Sequence, residues 1–271
     1  MHIAHAVNFF NTDDHEHALA QQLTMESLQR ARRYAAEDAL DIDLVSVQDP
    51  NERREVSSDW ILAAGLDRSI LDFGDFDAPP LPLLGDIIGR LLATSNAQVL
   101  VYSNADIIAT PGFYSVIAAC VRRGWRSFEV RRRTVDQEVL RDCTDIGDAL
   151  AVCGAEIGAP HTGADCFVFH REDARKFVWR PVCIGMPPVA RAMLINMLAA
   201  AGEVRTLDAH VTYHVENSQR WTHRRFRRLT DFNFAQARAI RDELLRRYGR
   251  LPRQIDRKCY ALEPDWGRSA D

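Results

Sequence analysis

Gln98-Val99-Leu100-Val101-Tyr102-Ser103-Asn104-Ala105-Asp106-Ile107-Ile108 sets an apolar strand directly against a short polar element with a single carboxylate. In an open α/β sheet, ligand-binding groups gather beyond the strand ends. Asn104 and Asp106 are two positions apart, so in an extended segment they share a side and one metal ion could meet both. The same pair could instead cap the next turn.

Upstream, a helix over about residues 83–94 feeds this strand. Before that helix, Ser69 to Pro82 carries Asp72, Gly74, Asp75 and three prolines, which break regular structure and predict a loop. The chain opens with a strand from His2 to Phe9 that ends in Asn11-Thr12-Asp13-Asp14. Leu19, Leu23, Leu28, Ala31 and Tyr34 then recur at helical spacing to about residue 37, and Ile42 to Val47 reads as a second strand stopped by Asp49-Pro50. This is a βαβ start.

Downstream, Phe113 to Arg123 is a helix closed by Gly124, and Trp125 to Arg131 returns as a strand into the Arg131-Arg132-Arg133 run. The pattern then loosens until the short apolar strand Cys166-Phe167-Val168-Phe169, with Gly163 and Asp165 before it. Pro187-Pro188 and Gly202 bracket a Met- and Leu-rich helix whose Met193 and Met197 read as core filling. A last amphipathic helix runs from about Asp231 to Tyr248, with Phe234, Ala237, Ile240, Leu244 and Tyr248 on one face and Gly249 as its stop. The economical architecture is one mixed α/β domain with a helical C-terminal appendage.

A chain of 271 residues with 46% apolar content fits a full core, and a formal charge of -4 gives no electrostatic case for nucleic acid or membrane. Lys176 and Lys258 are the only lysines, so the abundance of arginine tracks composition more than guanidinium chemistry. The six cysteines form no C-x-x-C pair and sit mostly in apolar runs, as reduced thiols do. With no leader-like start and no window near 18 uninterrupted apolar residues, the expectation is a soluble cytoplasmic protein. G-x-G-x-x-G after the first strand, a Walker loop, G-x-S-x-G and H-E-x-x-H are all missing, which sets aside the chemistries they serve.

Val101-Tyr102-Ser103-Asn104-Ala105-Asp106-Ile107 with Phe113-Tyr114, the Arg131-Arg132-Arg133-Thr134 run, and Gly163-Ala164-Asp165-Cys166-Phe167-Val168-Phe169 together resemble a largely uncharacterised group within the GT-A class of nucleotide-sugar glycosyltransferases. The resemblance covers most of residues 1–221. It implies a GT-A-like α/β fold, with a mixed, mostly parallel sheet flanked by helices. It also implies a nucleotide-sugar-binding and catalytic domain over residues 1–221, leaving 222–271 as a basic loop and C-terminal helical appendage.

Carried onto this sequence, the resemblance places Asn104 and Asp106 at the first and third positions of the D-x-D element that holds Mn²⁺ or Mg²⁺ against the donor diphosphate. An amide offers only a neutral carbonyl oxygen, so charge compensation falls on Asp106. His214, at a strand end in Val211-Thr212-Tyr213-His214-Val215-Glu216-Asn217, is the implied third ligand, with His210 as its competitor. Asn8 and Asp49 stand at strand ends where this class recognises base and ribose, though both also suit turns.

Arg220 and Trp221 lie in the basic, aromatic stretch Ser218 to Arg228, read either as a solvated basic surface or as a loop that neutralises the diphosphate and covers the sugar. Net acidity and the lack of a base-reading motif weigh against nucleic acid there. Asp86 faces either solvent or the donor sugar. Asp165, between Gly163 and an apolar strand, is expected to be partly desolvated, with a raised pKa suited to removing a proton from the acceptor.

The function implied is metal-assisted transfer of a sugar from a nucleotide diphosphate sugar to a hydroxyl acceptor. A non-catalytic nucleotide-sugar-binding or scaffold module of the same fold is the alternative that Asn104 favours. A sugar nucleotidyltransferase would want a glycine-rich loop after strand one, where this chain has Asn8-Phe9-Phe10-Asn11.

Overall fold

β1 (His2–Val7) alternates no polar residue to solvent, because it lies in the interior of a sheet covered on both faces. The computed structural model describes residues 1–215, 223–249 and Leu262. After β1, α1 (His15–Glu37) starts at Asp14, whose Oδ1 accepts from His17 N at 3.0 Å. β2 (Asp41–Ser46) then pairs parallel to β1, and β3 (Trp60–Leu62), a three-residue strand that its length hid from the sequence reading, pairs parallel to β2.

α2 (Leu84–Thr94) leads to β4 (Val99–Ser103), which adds parallel to the other side of β1. β5 (Ile108–Ala109) and α3 (Phe113–Arg122) follow. β6 (Ser127–Val135) runs farther than expected: the arginine run continues the strand and does not end it. α4 (Ile146–Ala155) was not anticipated, since its residues are apolar or small around most of its circumference and show no polar stripe. β7 (Ala159–His170) is likewise three times the length read from Cys166–Phe169, and it passes into the single turn α5 (Arg171–Ala174).

The remaining elements are α6 (Val189–Ala201), β8 (Arg205–Leu207), β9 (Thr212–Val215) and α7 (Arg227–Tyr248). α6 stops as expected at Gly202, which takes the left-handed conformation with φ 81° and donates its N–H to Leu198 O at 2.9 Å. The strand order is β3-β2-β1-β4-β7-β6-β9-β5, with β8 also on β6. The first four strands are parallel, whereas β7 is antiparallel to both β4 and β6. The C-terminal end of β4 therefore lies beside the middle of β7, at Cys166.

All nine strands among the described residues belong to one unit, Met1–Leu66, Ile87–Glu172 and Arg205–Ser218. Its core joins Ile3, Leu28, Leu44, Val101, Phe113, Phe128 and Val168, and a second cluster collects Leu23, Ile108, Val135, Cys153 and Tyr213. Buried Arg171 fixes the entry to β4, donating to the carbonyls of Leu92, Ser95 and Ala97 at the C-terminal end of α2.

The other unit is Asp67–Asp86, Asp173–Val204 and Gln219–Asp271. Its core packs α6 against α7 through Ala192, Ile195, Leu198, Phe234, Ala237 and Ile240. Two buried amides hold its loops: Asn196 bonds both N and O of Val178, and Asn233 bonds both N and O of Cys183. In the segment read as a loop, Ser69 and Asp72 form a capping box around one 3₁₀ turn, Ile70–Phe73. Among the described residues, no helix is long and apolar enough to cross a membrane.

Candidate active site

β4 delivers Asn104 one step past the last β4–β7 pair, Ser103 with Cys166. The ladder continues there, as Asn104 N donates to Asp165 O at 3.0 Å. The side chains join as well: Asn104 Nδ2 donates to Asp165 Oδ1 at 2.9 Å. On the other edge of β7, Val130 pairs with Cys166 but Arg131 pairs with Ala164, so Asp165 is the extra residue of a β-bulge. Bulges re-aim side chains next to active sites.

Arg132 completes this group, with Nη1 2.6 Å from Asp165 Oδ2. The approach is oblique, so Oδ2 accepts no well-aligned hydrogen bond. Arg132 Nη2 also lies 3.5 Å from His161 Nε2, while His161 Nδ1 accepts from Gly163 N at 2.9 Å. That bond places the proton of a neutral His161 on Nε2. Burial, then the Arg132 charge, lowers the His161 pKa and favours the neutral ring. Arg131 turns instead to Glu129 and Asp208, and Arg133 binds the carbonyls of Ile157 and Gly158.

Asp106 sits on the turn between β4 and β5, and His214 on β9, which pairs with β5. His214 Nε2 is 3.1 Å from Asp106 Oδ2. His214 is buried, and neither its Nδ1 nor the buried Asp106 Oδ1 has a hydrogen-bond partner among the described residues. Unpartnered buried polar atoms call for an unseen water or ion. The 3.1 Å contact is a hydrogen bond between Oδ2 and Nε2, and a carboxylate with an imidazole is the type of donor pair that Mn²⁺ or Mg²⁺ accepts.

The two carboxylates are tuned apart. Burial pushes Asp106 up, but the His214 hydrogen bond together with the His214 and Arg132 charges outweighs it and holds the carboxyl below its ordinary value. Burial raises Asp165, and the Arg132 charge only partly offsets this. One carboxylate stays ionised while its neighbour is the better proton acceptor, the division of labour that acid–base sites use.

Behind Asn104 runs a buried relay. Tyr114 hydroxyl meets His5 Nδ1 at 2.8 Å, His5 Nε2 meets Ser103 Oγ at 2.9 Å, and Ser103 Oγ donates to Asn104 O at 3.2 Å. Since the serine proton is committed to Asn104, His5 Nε2 donates and Tyr114 donates to Nδ1. Burial drives the His5 pKa down to about 3, so the ring stays neutral.

The structure thus brings Asn104, Asp106, Asp165 and His214 to one end of the sheet. His210, the competitor, is exposed. Asn8 is buried and donates Nδ2 to Val47 O at 2.7 Å, tying β1 to the end of β2, and Asp49 Oδ1 accepts from Asn51 N in a turn. Asp86 forms a two-point ion pair with Arg68, both contacts at 2.7 Å. Arg220 and Trp221 lie outside the described residues. The sequence reading assigned no role to Arg132 or His161. Only the alternation of the arginine run along a strand, which turns Arg132 away from its neighbours, hinted at the first.

No protein-family profile matches this chain, and no curated protein matches it. Among solved structures, glucosyl-3-phosphoglycerate synthase from Mycobacterium tuberculosis, in complex with Mn²⁺, UDP-glucose and phosphoglyceric acid, is similar at a TM-score of 0.50 with 17% identity, over 94% of this chain and 80% of that one. Staphylococcus aureus TarS in complex with UDP-GlcNAc matches at a TM-score of 0.49 and 10% identity, over 91% of this chain and 72% of that one. The fold is that of the GT-A nucleotide-sugar glycosyltransferases.

Proposed function

We propose that this chain is a glycosyltransferase that moves a sugar from a nucleotide diphosphate sugar to a hydroxyl acceptor. The observation that carries the reading is the meeting of Asp106 with His214 at 3.1 Å, at the same end of the sheet as a half-buried Asp165 whose pKa is raised. Asp106 and His214 would hold a divalent cation, Mn²⁺ or Mg²⁺, whose charge offsets that developing on the departing diphosphate. The mycobacterial synthase of like fold was crystallised with Mn²⁺ and UDP-glucose, which supports a nucleotide-sugar donor here.

In an inverting reaction, Asp165 takes the proton of the acceptor hydroxyl. The acceptor oxygen bonds the anomeric carbon as the bond from that carbon to the diphosphate oxygen breaks, and its electron pair leaves with the diphosphate. In a retaining reaction, Asp165 would hold the acceptor or sugar instead. Arg132 keeps Asp165 oriented.

On this reading Asn8 and Asp49 lie along the base and ribose, and Arg220 and Trp221 cover the diphosphate and sugar. Residues 1–221 carry donor binding and catalysis, with 222–271 as the basic loop and helical appendage. The free thiols Cys120, Cys143, Cys153, Cys166 and Cys183 suit a reducing cytoplasm.

The test is thermal-shift titration with UDP, GDP, CDP and ADP, each with and without Mn²⁺. One nucleoside diphosphate should stabilise the protein in a metal-dependent way, and Asp106→Ala should remove the effect. No response to any of the four would sink the reading.

A further inference from the structure

Thr134 Oγ1 is buried and has no hydrogen-bond partner among the described residues. An unpaired buried hydroxyl costs stability that a valine of nearly the same shape would not. A second atom of this kind lies one strand away. Thr134 on β6 is the register partner of His214 on the parallel strand β9. His214 is buried, and its Nδ1 is likewise unpartnered.

The two side chains share one face of the sheet. Val135, Tyr213 and Val215, which flank them in sequence, gather in one apolar cluster, and alternation along each strand turns Thr134 and His214 to the opposite side. Adjacent strands run about 4.8 Å apart, and a water that bonds both ways spans about 5.5 Å. One enclosed water between Thr134 Oγ1 and His214 Nδ1 would satisfy both atoms.

The tautomer of His214 gives that bridge a role. While Nε2 donates to Asp106 Oδ2 at 3.1 Å, the ring proton sits on Nε2 and Nδ1 is an acceptor. A ring nitrogen that holds a cation carries no proton, so the proton then belongs on Nδ1, which needs an acceptor of its own. A hydroxyl serves both states, because it can donate to the bridging water in one and accept from it in the other.

From this we infer that Thr134 is the positioning residue of His214: through one enclosed water its hydroxyl holds the imidazole in the tautomer that leaves Nε2 open to a cation. The inference rests on the glycosyltransferase reading above and adds to it a residue on β6.

The experiment compares wild type, Thr134→Val and Thr134→Ser. It is read by Mn²⁺ affinity from electron paramagnetic resonance of the free ion, by melting temperature without metal, and by the ring-nitrogen chemical shifts of His214 under Mg²⁺ titration. Thr134→Val should weaken Mn²⁺ binding by about tenfold, and Thr134→Ser should bring it back to within about threefold of wild type. The metal-free melting temperature of Thr134→Val should stay level or rise. In wild type, Mg²⁺ should move the ring proton from Nε2 to Nδ1, and in Thr134→Val the same change should need about tenfold more Mg²⁺.

An unchanged Mn²⁺ affinity in Thr134→Val, with binding still abolished by Asp106→Ala, overturns this inference and leaves the transferase reading standing. A loss that Thr134→Ser does not recover also overturns it, as does a Thr134→Val protein that melts lower without metal. A wild type that binds no Mn²⁺ overturns both.

Discussion

Asp106 and His214, 108 residues apart in the chain, face each other at 3.1 Å, each with one buried polar atom that no described residue satisfies. The turn after β4 supplies one partner and β9 the other, and the pairing of β5 with β9 brings them together. Asp106→Asn keeps the shape and removes the charge. It should eliminate the Mn²⁺-dependent rise in melting temperature while shifting the metal-free melting temperature by only a few degrees, since Asp106 is about a third exposed. An undiminished Mn²⁺ response in this variant would take Asp106 out of the cation site.

Arg132 lowers the pKa of Asp165 by placing a positive charge 2.6 Å from Oδ2. Removing that charge leaves burial and the Asp106 charge opposed by His214 alone, so the carboxyl should hold its proton to higher pH. In Arg132→Gln the acidic limb of the kcat/KM profile should move up by about one pH unit or more. A limb that stays in place would mean that Asp165 is not the group titrating there.

His5 gives a second pH signature, on stability. Its folded pKa of about 3 lies below its ordinary 6.5, so between those values the unfolded chain binds the extra proton. The contribution is full above pH 6.5 and is lost as pH falls toward 3. Unfolding free energy from urea titrations should therefore fall by up to about 1.4 kcal/mol per pH unit from this residue alone. The His5→Gln slope should be shallower over the same window, and equal slopes would remove His5 from the account.

Gly85, in the first turn of α2, has no room for a side chain: a Cβ there would lie 2.8 Å from Trp179 Cγ and 2.9 Å from Trp179 Cβ. These atoms are the stem of the indole and cannot swing away cheaply. Gly85→Ala should cost about 1–3 kcal/mol despite the better helix propensity of alanine. Chemical denaturation would show it, and a neutral or stabilising result would mean that Trp179 repacks freely.

Periodicity made much of the fold legible. α1, β2, β4, α3 and α6 fall within a residue or two of their expected bounds, because each shows clear spacing, a cap or a breaker. What escaped had a physical reason. α4 lacks a polar face, β3 is too short to show a period, and β7 contains extra residues that interrupt its alternation. In the site, Asp106 was legible from the strand-end Asn-x-Asp, Asp165 from its place between Gly163 and an apolar strand, and His214 through the resemblance; Asp106 and His214 meet at 3.1 Å. Arg132 and His161 were missed because the approach of Arg132 to Asp165, and of His161 to Arg132, depends on strand register, which no local pattern encodes.

Asp165, which has no register partner on β6, makes this end of the sheet sensitive to chain length more than to residue identity. A strand shows its residues to opposite faces in turn, so one uncounted residue resets the phase between the stretch before it and the stretch after it. Deleting Ala164 would leave every strand sequence otherwise intact and yet carry Arg132 and Asp165 to opposite sides of the sheet. For this chain, a single-residue gap between Gly163 and Cys166 would be a better marker of a silenced relative than any substitution at Asn104.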